Sequence, residues 1–359
     1  MSRGPFVRSA HPLWSLLSLA LVFAGSFAAS YCLVPAARSV PGPGVRPQGD
    51  MAWIPAGEFL MGTDSSWGRP EEKPAHRVRV DGFWIDRTPV TNADFARFVT
   101  ETGYVTTAEI APDPRDYPGA LADQLSPASL VFTPPGRPVD LRDVQSWWVF
   151  LKGASWARPY GPESTTEGLD DHPVVHVAWR DVVAYAAWAD GEIPTEAEWE
   201  YAARGGLDAA EFAWGDTFAP DGRHQANTWQ GAFPNENLAG DGFERTSPVG
   251  AFPPNGYGLV DMIGNVWEWT QDWYTARHDV QSPCCAVPNP RGGSENESYD
   301  PHQPVIRIPR KVVKGGSHLC APNYCRRYRP AARHPQPVDT SMSHVGFRLV
   351  SHTPAPVRT

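Results

Sequence analysis

Two cysteines, Cys320 and Cys325, lie in the part of the chain whose residue types most favour chemistry. Four residues separate them, and the segment 305–333 around them contains Lys and Arg but no acidic residue. Nearby positive charge lowers the pKa of a thiol and favours the thiolate, which acts as a nucleophile or as a metal ligand. Two thiolates without a third and fourth ligand at zinc-like spacing suit a soft ion such as Cu(I) better than Zn²⁺.

A disulfide is the alternative for the same pair. Cysteines five positions apart face different sides of a helix, so joining them requires a bend, which Pro322 and Asn323 can supply. In an exported protein a disulfide is the default interpretation of two close cysteines. The adjacent Cys284 and Cys285 lie in a proline-containing loop and are assigned a structural role without chemistry.

A second group of residues offers oxygen ligands. Asn227 and Asp241 lie fourteen positions apart, and the carboxylates of Asp261 and Glu268 flank a turn at Gly264. Carboxylates and loop carbonyls are the ligands that Ca²⁺ prefers, but the spacing matches no EF-hand loop. Taken alone, such residues more often form turns or remain solvated acids.

Three helices must support these residues. They are expected at Thr91 to Gly103, Asp181 to Ala189, and Thr195 to Gly206. The third has the strongest local signal, because Thr195 and Glu198 form a capping box and glycines end the helix. Alternation predicts a strand within 77–85 and a closing strand at 345–350.

The composition predicts a loop-rich globule with a substantial core. The 359 residues include 32 Gly, 38 Pro and 15 Trp, and 41% are hydrophobic. Residues 51–350 are therefore expected to form one α+β domain with little regular structure, in which the aperiodic stretch 111–171 is held by aromatic packing. The net charge of −9 excludes a protein that grips nucleic acid by bulk charge.

The first forty residues differ from the rest of the chain in charge and hydropathy. Arg3 and Arg8 precede an apolar run from Leu13 to Val34, and no acid occurs before Asp50. This pattern fits either a cleaved signal peptide or an N-terminal membrane anchor, so an exported, periplasmic or extracellular protein is expected rather than a cytoplasmic one. Residues 41–50 are interpreted as a linker and 351–359 as a tail.

Several motifs together resemble the formylglycine-generating enzymes, also called sulfatase-modifying factors, over nearly all of residues 51–350. The discriminating run is Gly315-Gly316-Ser317 followed by Cys320 and Cys325, which is similar to the oxidase branch of that superfamily. The remaining motifs are shared by the whole superfamily and argue for fold more than function. They are Trp53–Phe59 with Met61-Gly62, His172–Trp179, Pro194–Ala202, Asn255–Leu259, Gly264–Trp269 and Gly346–Arg348.

The resemblance implies a monomer of C-type-lectin-like fold that oxidises a cysteine. The reaction would convert the cysteine of a sulfatase Cys-x-Pro-x-Arg motif to Cα-formylglycine, with O₂ as acceptor and a thiol reductant. The partner would be an unfolded or nascent sulfatase. By similarity, Cys320 and Cys325 would bind Cu(I), Ser317 would be a polar neighbour of the oxygen pocket, and Trp267 would form part of its wall.

Two calcium sites are also implied by the resemblance. The first would use the side chains of Asn227 and Asp241 with the carbonyls of Thr228 and Phe243. The second would use Asp261, Glu268 and the carbonyls of Gly264 and Val266. The chain also departs from the animal enzymes, since Asp261 replaces an Asn, Ala321 replaces a His, and Pro330 replaces a cysteine of a structural disulfide.

Two other functions remain open at this stage. A superfamily oxidase with another substrate would share the fold, although such members generally lack the cysteine pair. A non-catalytic, lectin-like binding module would carry Cys320 and Cys325 as a permanent disulfide. The redox state of the pair therefore separates an oxidase from a binding module.

Overall fold

The structure is a computed structural model that describes residues 50–122, 124–278 and 285–352. These residues all belong to one compact unit. The predicted export segment 1–40, the linker up to residue 49, Cys284 and residues 353–359 of the tail lie outside the described residues. Within the described ranges, no helix is both long enough and apolar enough to cross a bilayer.

Short strands, three α-helices and five single-turn 3₁₀-helices make up the regular structure of the described residues. The strands are β1 (Met51–Ile54), β2 (Gly57–Met61), β3 (His76–Val80), β4 (Phe83–Asp86), β5 (Ala128–Phe132), β6 (Trp148–Lys152), β7 (Trp267–Trp273), β8 (Val287–Pro288), β9 (Arg310–Lys314), β10 (Arg333–Pro337), β11 (Val345–Gly346) and β12 (Val350–Ser351). The helices are α1 (Asn92–Thr102), α2 (Trp179–Trp188) and α3 (Glu196–Arg204). The α+β prediction with little regular structure is confirmed.

The largest sheet brings distant segments together at one end of its strands. Its strand order is β10-β9-β7-β11, with β9 antiparallel to both β7 and β10, and β11 parallel to β7. Lys314 at the end of β9 pairs with Glu268 near the start of β7, and Val345 at the start of β11 pairs with Trp267. The loop that follows β9 therefore starts beside Trp267.

Local signals placed the helices well. Thr91 caps α1 by accepting from the Asp94 amide, and Gly103 ends the helix in the left-handed conformation. Thr195 caps α3 in the same way, and Gly205 ends it. The second helix begins two residues before its predicted start, because the Asp181 carboxylate accepts from the Ala178 amide at 2.8 Å and extends the first turn.

Two predicted strands are each divided in the structure. The 77–85 alternation is divided between β3 and β4, which belong to different sheets. Gly82 lies at the turn, where a Cβ atom would stand 2.4 Å from the Trp53 ring. The closing strand is divided between β11 and β12, because Arg348 between them is buried against Glu268.

The stretch 111–171 contains a hairpin that periodicity did not reveal. Strand β5 is largely buried and β6 largely exposed, so neither shows a clear alternation. The expected aromatic packing is present, since Trp147 and Phe132 belong to a second hydrophobic cluster. Its other buried members are Trp229, Phe233, Leu319 and Ala321. This aromatic cluster packs directly against the cysteine loop.

A pH-dependent contact joins the end of the described chain to α3. The ring of His352 lies 2.6 Å from Glu198 and 3.1 Å from Glu192, and the hydrogen bond to Glu198 raises the pKa of His352 to about 9. Because the folded pKa exceeds the unfolded value, this stabilisation is complete below about pH 6.5 and is lost as the pH rises through about 9. Across that pH range we expect the free energy of unfolding of wild type to fall by up to about 1 kcal/mol relative to that of His352→Gln. The effect is this small because the site is half-exposed.

Denaturant unfolding at pH 6 and pH 10 measures this difference. His302→Gln is the matched control, since His302 is exposed and forms no ion pair with a carboxylate among the described residues. Parallel pH profiles for wild type and His352→Gln would contradict the prediction.

Candidate active site

The loop after β9 is shaped by two glycines in the left-handed region. Gly315 has φ 94° and Gly316 has φ 74°. A Cβ atom on Gly316 would stand 2.6 Å from the carbonyl oxygen of Arg327, so only glycine allows this close approach. Beyond it, the Cys320 amide donates to the Ser317 carbonyl at 2.9 Å, and the Cys325 amide donates to the Ala321 carbonyl at 3.2 Å. These turns bring the two cysteines together.

Cys320 and Cys325 are free thiols in hydrogen-bond contact. Burial raises the pKa of Cys320, and its contact with Cys325 raises it further. The hydrogen bond with Cys320 lowers the pKa of Cys325, and the Arg327 guanidinium adds to this effect. Arg327 lowers the pKa of both thiols, as nearby positive charge is expected to do, but burial and the contact with Cys325 outweigh it at Cys320. The contact thus favours Cys320 as the hydrogen-bond donor and Cys325 as the partner with the lower pKa. The structure does not contain the disulfide that the binding-module alternative requires.

The basic residues around the pair meet acids from elsewhere in the chain. Arg329 is buried and bonds to Glu72 at 2.7 Å, and Arg327 reaches Glu71 at 3.2 Å. Segment 305–333 therefore contains no acidic residue of its own, but acidic residues from elsewhere in the chain pair with its arginines in the folded structure. Its main electrostatic contribution to the thiols comes from the nearby Arg327.

Ser317 lies within the cysteine loop, and Trp267 lies in β7 next to Glu268, which pairs with Lys314 at the end of β9. The Ser317 hydroxyl is buried and lies 3.1 Å from Nδ1 of His344. The Trp267 backbone amide donates to the His344 carbonyl at 2.8 Å. The centre of the Trp267 indole ring lies 5.6 Å from the centre of the His334 imidazole ring. One end of the sheet therefore places His344 beside Ser317 and His334 beside Trp267.

His334 and His344 were missed by sequence reasoning. Burial lowers the pKa of both imidazoles well below the ordinary value, and Arg327 lowers that of His334 further. Both rings are therefore neutral at physiological pH. No local pattern marks them, because each is brought to the site by its sheet neighbours rather than by spacing to a cysteine.

Tyr324 forms the other wall next to the pair. Its ring stacks on Phe233 at 4.6 Å and meets Trp147 edge-on at 5.7 Å. Ala321 is fully buried in the same aromatic cluster. The aromatic cluster that includes Tyr324 therefore lies against the cysteine pair.

Members of the first predicted calcium set lie close together, although the Thr228 carbonyl and Asp241 Oδ2 both accept from the Gln230 side chain. Asp241 accepts from the Thr228 amide at 3.1 Å and from the Phe243 amide at 3.0 Å. Asn227 is fully buried, and its amide nitrogen donates to the Arg245 carbonyl while its Oδ1 has no hydrogen-bond partner. A buried acceptor oxygen without a donor fits a cation ligand.

The second set is arranged differently. Glu268 is buried, with its Oε1 and Oε2 bonded to Arg348 at 2.8 and 2.7 Å, and Oε2 also accepts from Trp199. Asp261 accepts from the Gly250 amide at 2.7 Å. The Arg348 cation already neutralises Glu268, so this carboxylate does not fit a calcium ligand as well as Asp241 does. A calcium role for the second set stays a prediction.

The backbone ligands of the second set occupy tightly constrained positions. Gly264 has φ 77°, and its amide donates to the Gly315 carbonyl at 3.0 Å. A Cβ atom there would stand 2.2 Å from the Asn227 carbonyl oxygen, and Val266 is buried. Gly264 thus connects the first calcium set to the cysteine loop.

One protein-family model matches most of this chain. Residues 37–353 match the sulfatase-modifying factor enzyme 1-like domain. The chain belongs to this family. The formylglycine-generating enzyme of Mycobacterium tuberculosis is 51% identical over 301 residues, covering 83% of this chain and 96% of that protein. The Mus musculus enzyme of the same name is 46% identical, covering 85% of this chain and 76% of that protein.

A solved structure supports the fold of the sulfatase-modifying factor family. PvdO from Pseudomonas aeruginosa superposes with a TM-score of 0.57, covering 88% of this chain and all of that one. At 24% sequence identity this likeness concerns the fold alone. The predicted single-domain fold is confirmed.

Proposed function

We propose that this protein converts the cysteine of a Cys-x-Pro-x-Arg motif in unfolded or nascent sulfatases to Cα-formylglycine. The observation that carries the proposal is the contact between the free thiols of Cys320 and Cys325, in a chain about half identical to formylglycine-generating enzymes. The fold alone would not support an activity, because one fold hosts many functions. The cysteine pair is a specific reactive group placed on that fold, so it does support one.

The donor set fits Cu(I). Two sulfur ligands in contact, one of them with a lowered pKa, suit a soft monovalent ion. When bound, Cu(I) would supply the redox chemistry with O₂, and a thiol reductant would restore it. These cofactor and co-substrate roles are part of the proposal.

The protein's own residues have definable tasks. Cys325 is already biased toward the thiolate by its neighbour, so binding a cation there releases few protons. Ser317 presents a hydroxyl oriented by the neutral ring of His344. Trp267 and Tyr324 limit water around the thiols, which strengthens electrostatic interactions in the site. Placement of the substrate cysteine beside the pair would supply most of the catalytic advantage.

Mass spectrometry of a synthetic peptide tests the activity. The protein is incubated with a Cys-x-Pro-x-Arg peptide, Cu(I), O₂ and a thiol reductant, and an aldehyde is trapped with a hydrazide. We expect conversion that stops when copper is chelated, and none with an Ala-x-Pro-x-Arg peptide. Cu(I) binding without conversion would indicate another substrate, and neither binding nor conversion would favour a binding module.

We also propose that Asn227 and Asp241 hold Ca²⁺ with the carbonyls of Thr228 and Phe243. Calcium saturating this site should stabilise the fold, by about 2.7 kcal/mol at one hundred times its dissociation constant. Thermal unfolding with and without Ca²⁺ measures this, with Mg²⁺ as the ionic control. Asp241→Asn should remove most of the calcium-dependent shift, and an unchanged shift in that variant would contradict the site.

Export remains part of this proposal, because segment 1–40 lies outside the described residues. An oxidising compartment would oblige the thiol pair to be kept reduced by its reductant or by bound copper.

A further inference from the structure

An arginine lies directly beside the more accessible of the two thiols. Arg326 follows Cys325 in the chain, so the Cα atoms of the two residues are about 3.8 Å apart. The guanidinium of Arg326 lies 3.5 Å from the centre of the Trp67 ring, and Trp67 is 55% exposed. Cys325 is partly exposed, whereas Cys320 is buried. A molecule that approaches the pair from solvent therefore meets Cys325 next to Arg326.

Three successive contacts hold segment 67–72 against the residues that follow Cys325. They are the stacking of Trp67 on Arg326, the ion pair of Glu71 with Arg327 at 3.2 Å and the ion pair of Glu72 with Arg329 at 2.7 Å. Two segments that are distant in sequence are thus fixed side by side at the cysteine loop.

Arg69 is held near the thiols by this docking, because it belongs to segment 67–72. Its side chain is partly exposed. Burial raises the pKa of Tyr324, and the positive charge of Arg69 opposes that shift. Burial also lowers the pKa of His334, and the Arg69 charge adds to that effect. The electric field of Arg69 therefore reaches the residue that precedes Cys325.

Arg69 and Arg326 form an arginine patch whose charge is not compensated. Among the described residues neither of them forms an ion pair with a carboxylate, whereas Arg327 pairs with Glu71. Asp64, earlier in the same loop as Arg69, accepts from a backbone amide at 3.1 Å. Guanidinium groups bind carboxylates through charge-assisted hydrogen bonds, and an uncompensated positive patch raises the local concentration of anions.

We propose that the arginine patch binds a thiol that carries carboxylate groups, and that this anionic thiol is the reductant of the reaction proposed above. The inference rests on that proposed function and names the chemical class of its reductant. The same two charges repel the arginine of the substrate motif, so they leave this side of the cysteine loop to the reductant. A neutral or cationic thiol lacks the attraction.

The electron balance of the proposed oxidation calls for two molecules of this thiol. O₂ accepts four electrons and four protons and becomes two molecules of water. Oxidation of the substrate cysteine to a thioaldehyde supplies two of each. Two reductant thiols supply the other two electrons and two protons as they join in a disulfide. Water then hydrolyses the thioaldehyde to the aldehyde and hydrogen sulfide.

Iodoacetate and iodoacetamide compare an anion with a neutral molecule at the same sulfur. Both alkylate the thiolate, so the ratio of their rates at Cys325 does not depend on the pKa of that thiol. Mass spectrometry of the copper-free full-length protein gives this ratio, with an unstructured cysteine peptide as reference. At low salt we expect a ratio about four- to nine-fold above the reference, and about 1 M NaCl should remove most of the difference.

Variants assign the effect to the arginine patch. Arg69→Gln and Arg326→Gln should each lower the iodoacetate preference by about two- to three-fold, whereas Arg326→Lys should keep most of it because the charge remains. Arg97→Gln is the matched control. Arg97 also stacks on a tryptophan, Trp188 at 5.4 Å, but lies on α1, and its replacement changes the net charge equally.

The choice of reductant is tested in the aldehyde assay. Mercaptosuccinate carries two carboxylates, and 2-mercaptoethanol carries none. In Arg69→Gln and Arg326→Gln we expect the mercaptosuccinate concentration that gives half-maximal aldehyde formation to rise about two- to three-fold, with little change for 2-mercaptoethanol. Comparing each variant with wild type for the same thiol removes the effect of differing thiol pKa values.

The outcomes separate the patch from the activity. An alkylation ratio at Cys325 equal to the reference, or an equal loss in Arg97→Gln, would overturn anion binding by the patch. A raised ratio with the same response of both thiols to the variants would overturn the reductant assignment. A raised ratio with no aldehyde from either thiol would show that the proposed function has failed, and the reductant role with it.

Discussion

Replacing either Cys320 or Cys325 by serine is expected to reduce aldehyde formation on a Cys-x-Pro-x-Arg peptide to below about 1% of wild type. A serine hydroxyl is a hard, weakly acidic group that neither ionises like Cys325 nor binds a soft cation. The two variants should differ in thiol reactivity. Cys320→Ser should leave Cys325 with its lowered pKa, because the serine hydroxyl still donates a hydrogen bond to it, whereas Cys325→Ser leaves the buried Cys320 with its raised pKa.

Alkylation rates between pH 5 and 9, followed by mass spectrometry, measure that difference beside the activity assay. Cys285→Ser is the control, because Cys285 is exposed and lies in another loop, and it should retain full activity. Thermal unfolding should show that both active-site variants still fold. Substantial activity in either of them would refute the role of the pair.

Replacing Glu200 by glutamine is expected to cost about 3–5 kcal/mol of unfolding free energy. The side chains of Glu200 and Lys314 are completely buried, and they meet at 2.9 Å. Arg204, also buried, bonds to the same carboxylate at 2.7 Å. Burial raises the pKa of Glu200, but Lys314 and Arg204 outweigh this and hold it at about 2. Glutamine has the same shape but leaves two buried cations with one anion fewer.

The effect has a defined pH dependence. Because the folded pKa of Glu200 lies below its unfolded value, the stabilisation is present above about pH 4.5 and is lost as the pH falls toward 2. Urea unfolding at pH 7 and pH 3 should therefore show a large gap between wild type and Glu200→Gln at pH 7 and a smaller one at pH 3.

Asp208→Asn is the matched control for this measurement. Asp208 pairs with Arg77 at 2.6 Å, but both side chains are about half-exposed, so its loss should cost below about 1 kcal/mol. Equal costs for the two variants would show that burial of the Glu200 network is not what stabilises it. Lys314 immediately precedes the cysteine loop, so Glu200→Gln should also lower aldehyde formation.

The ends of helices α1 and α3 and the turns that bring Cys320 and Cys325 together could be predicted from the sequence. Thr91, Thr195 and Gly205 act through neighbouring backbone groups, so their signals are complete within a few residues. The same holds for the turns between Cys320 and Cys325, which lie in one short loop. Motif patterns then predicted the family.

Contacts between distant residues decided the rest. Strand breaks at Gly82 and Arg348 depend on what those residues meet in space. His344 reaches Ser317 from the segment that precedes β11, and His334 reaches Trp267 from β10. The ionisation of the two thiols also escaped prediction, because it depends on which sulfur donates to the other. A charged side chain in sequence shows only its own charge, whereas its effect on a pKa depends on burial and on partners such as Glu71 that only the tertiary structure brings near.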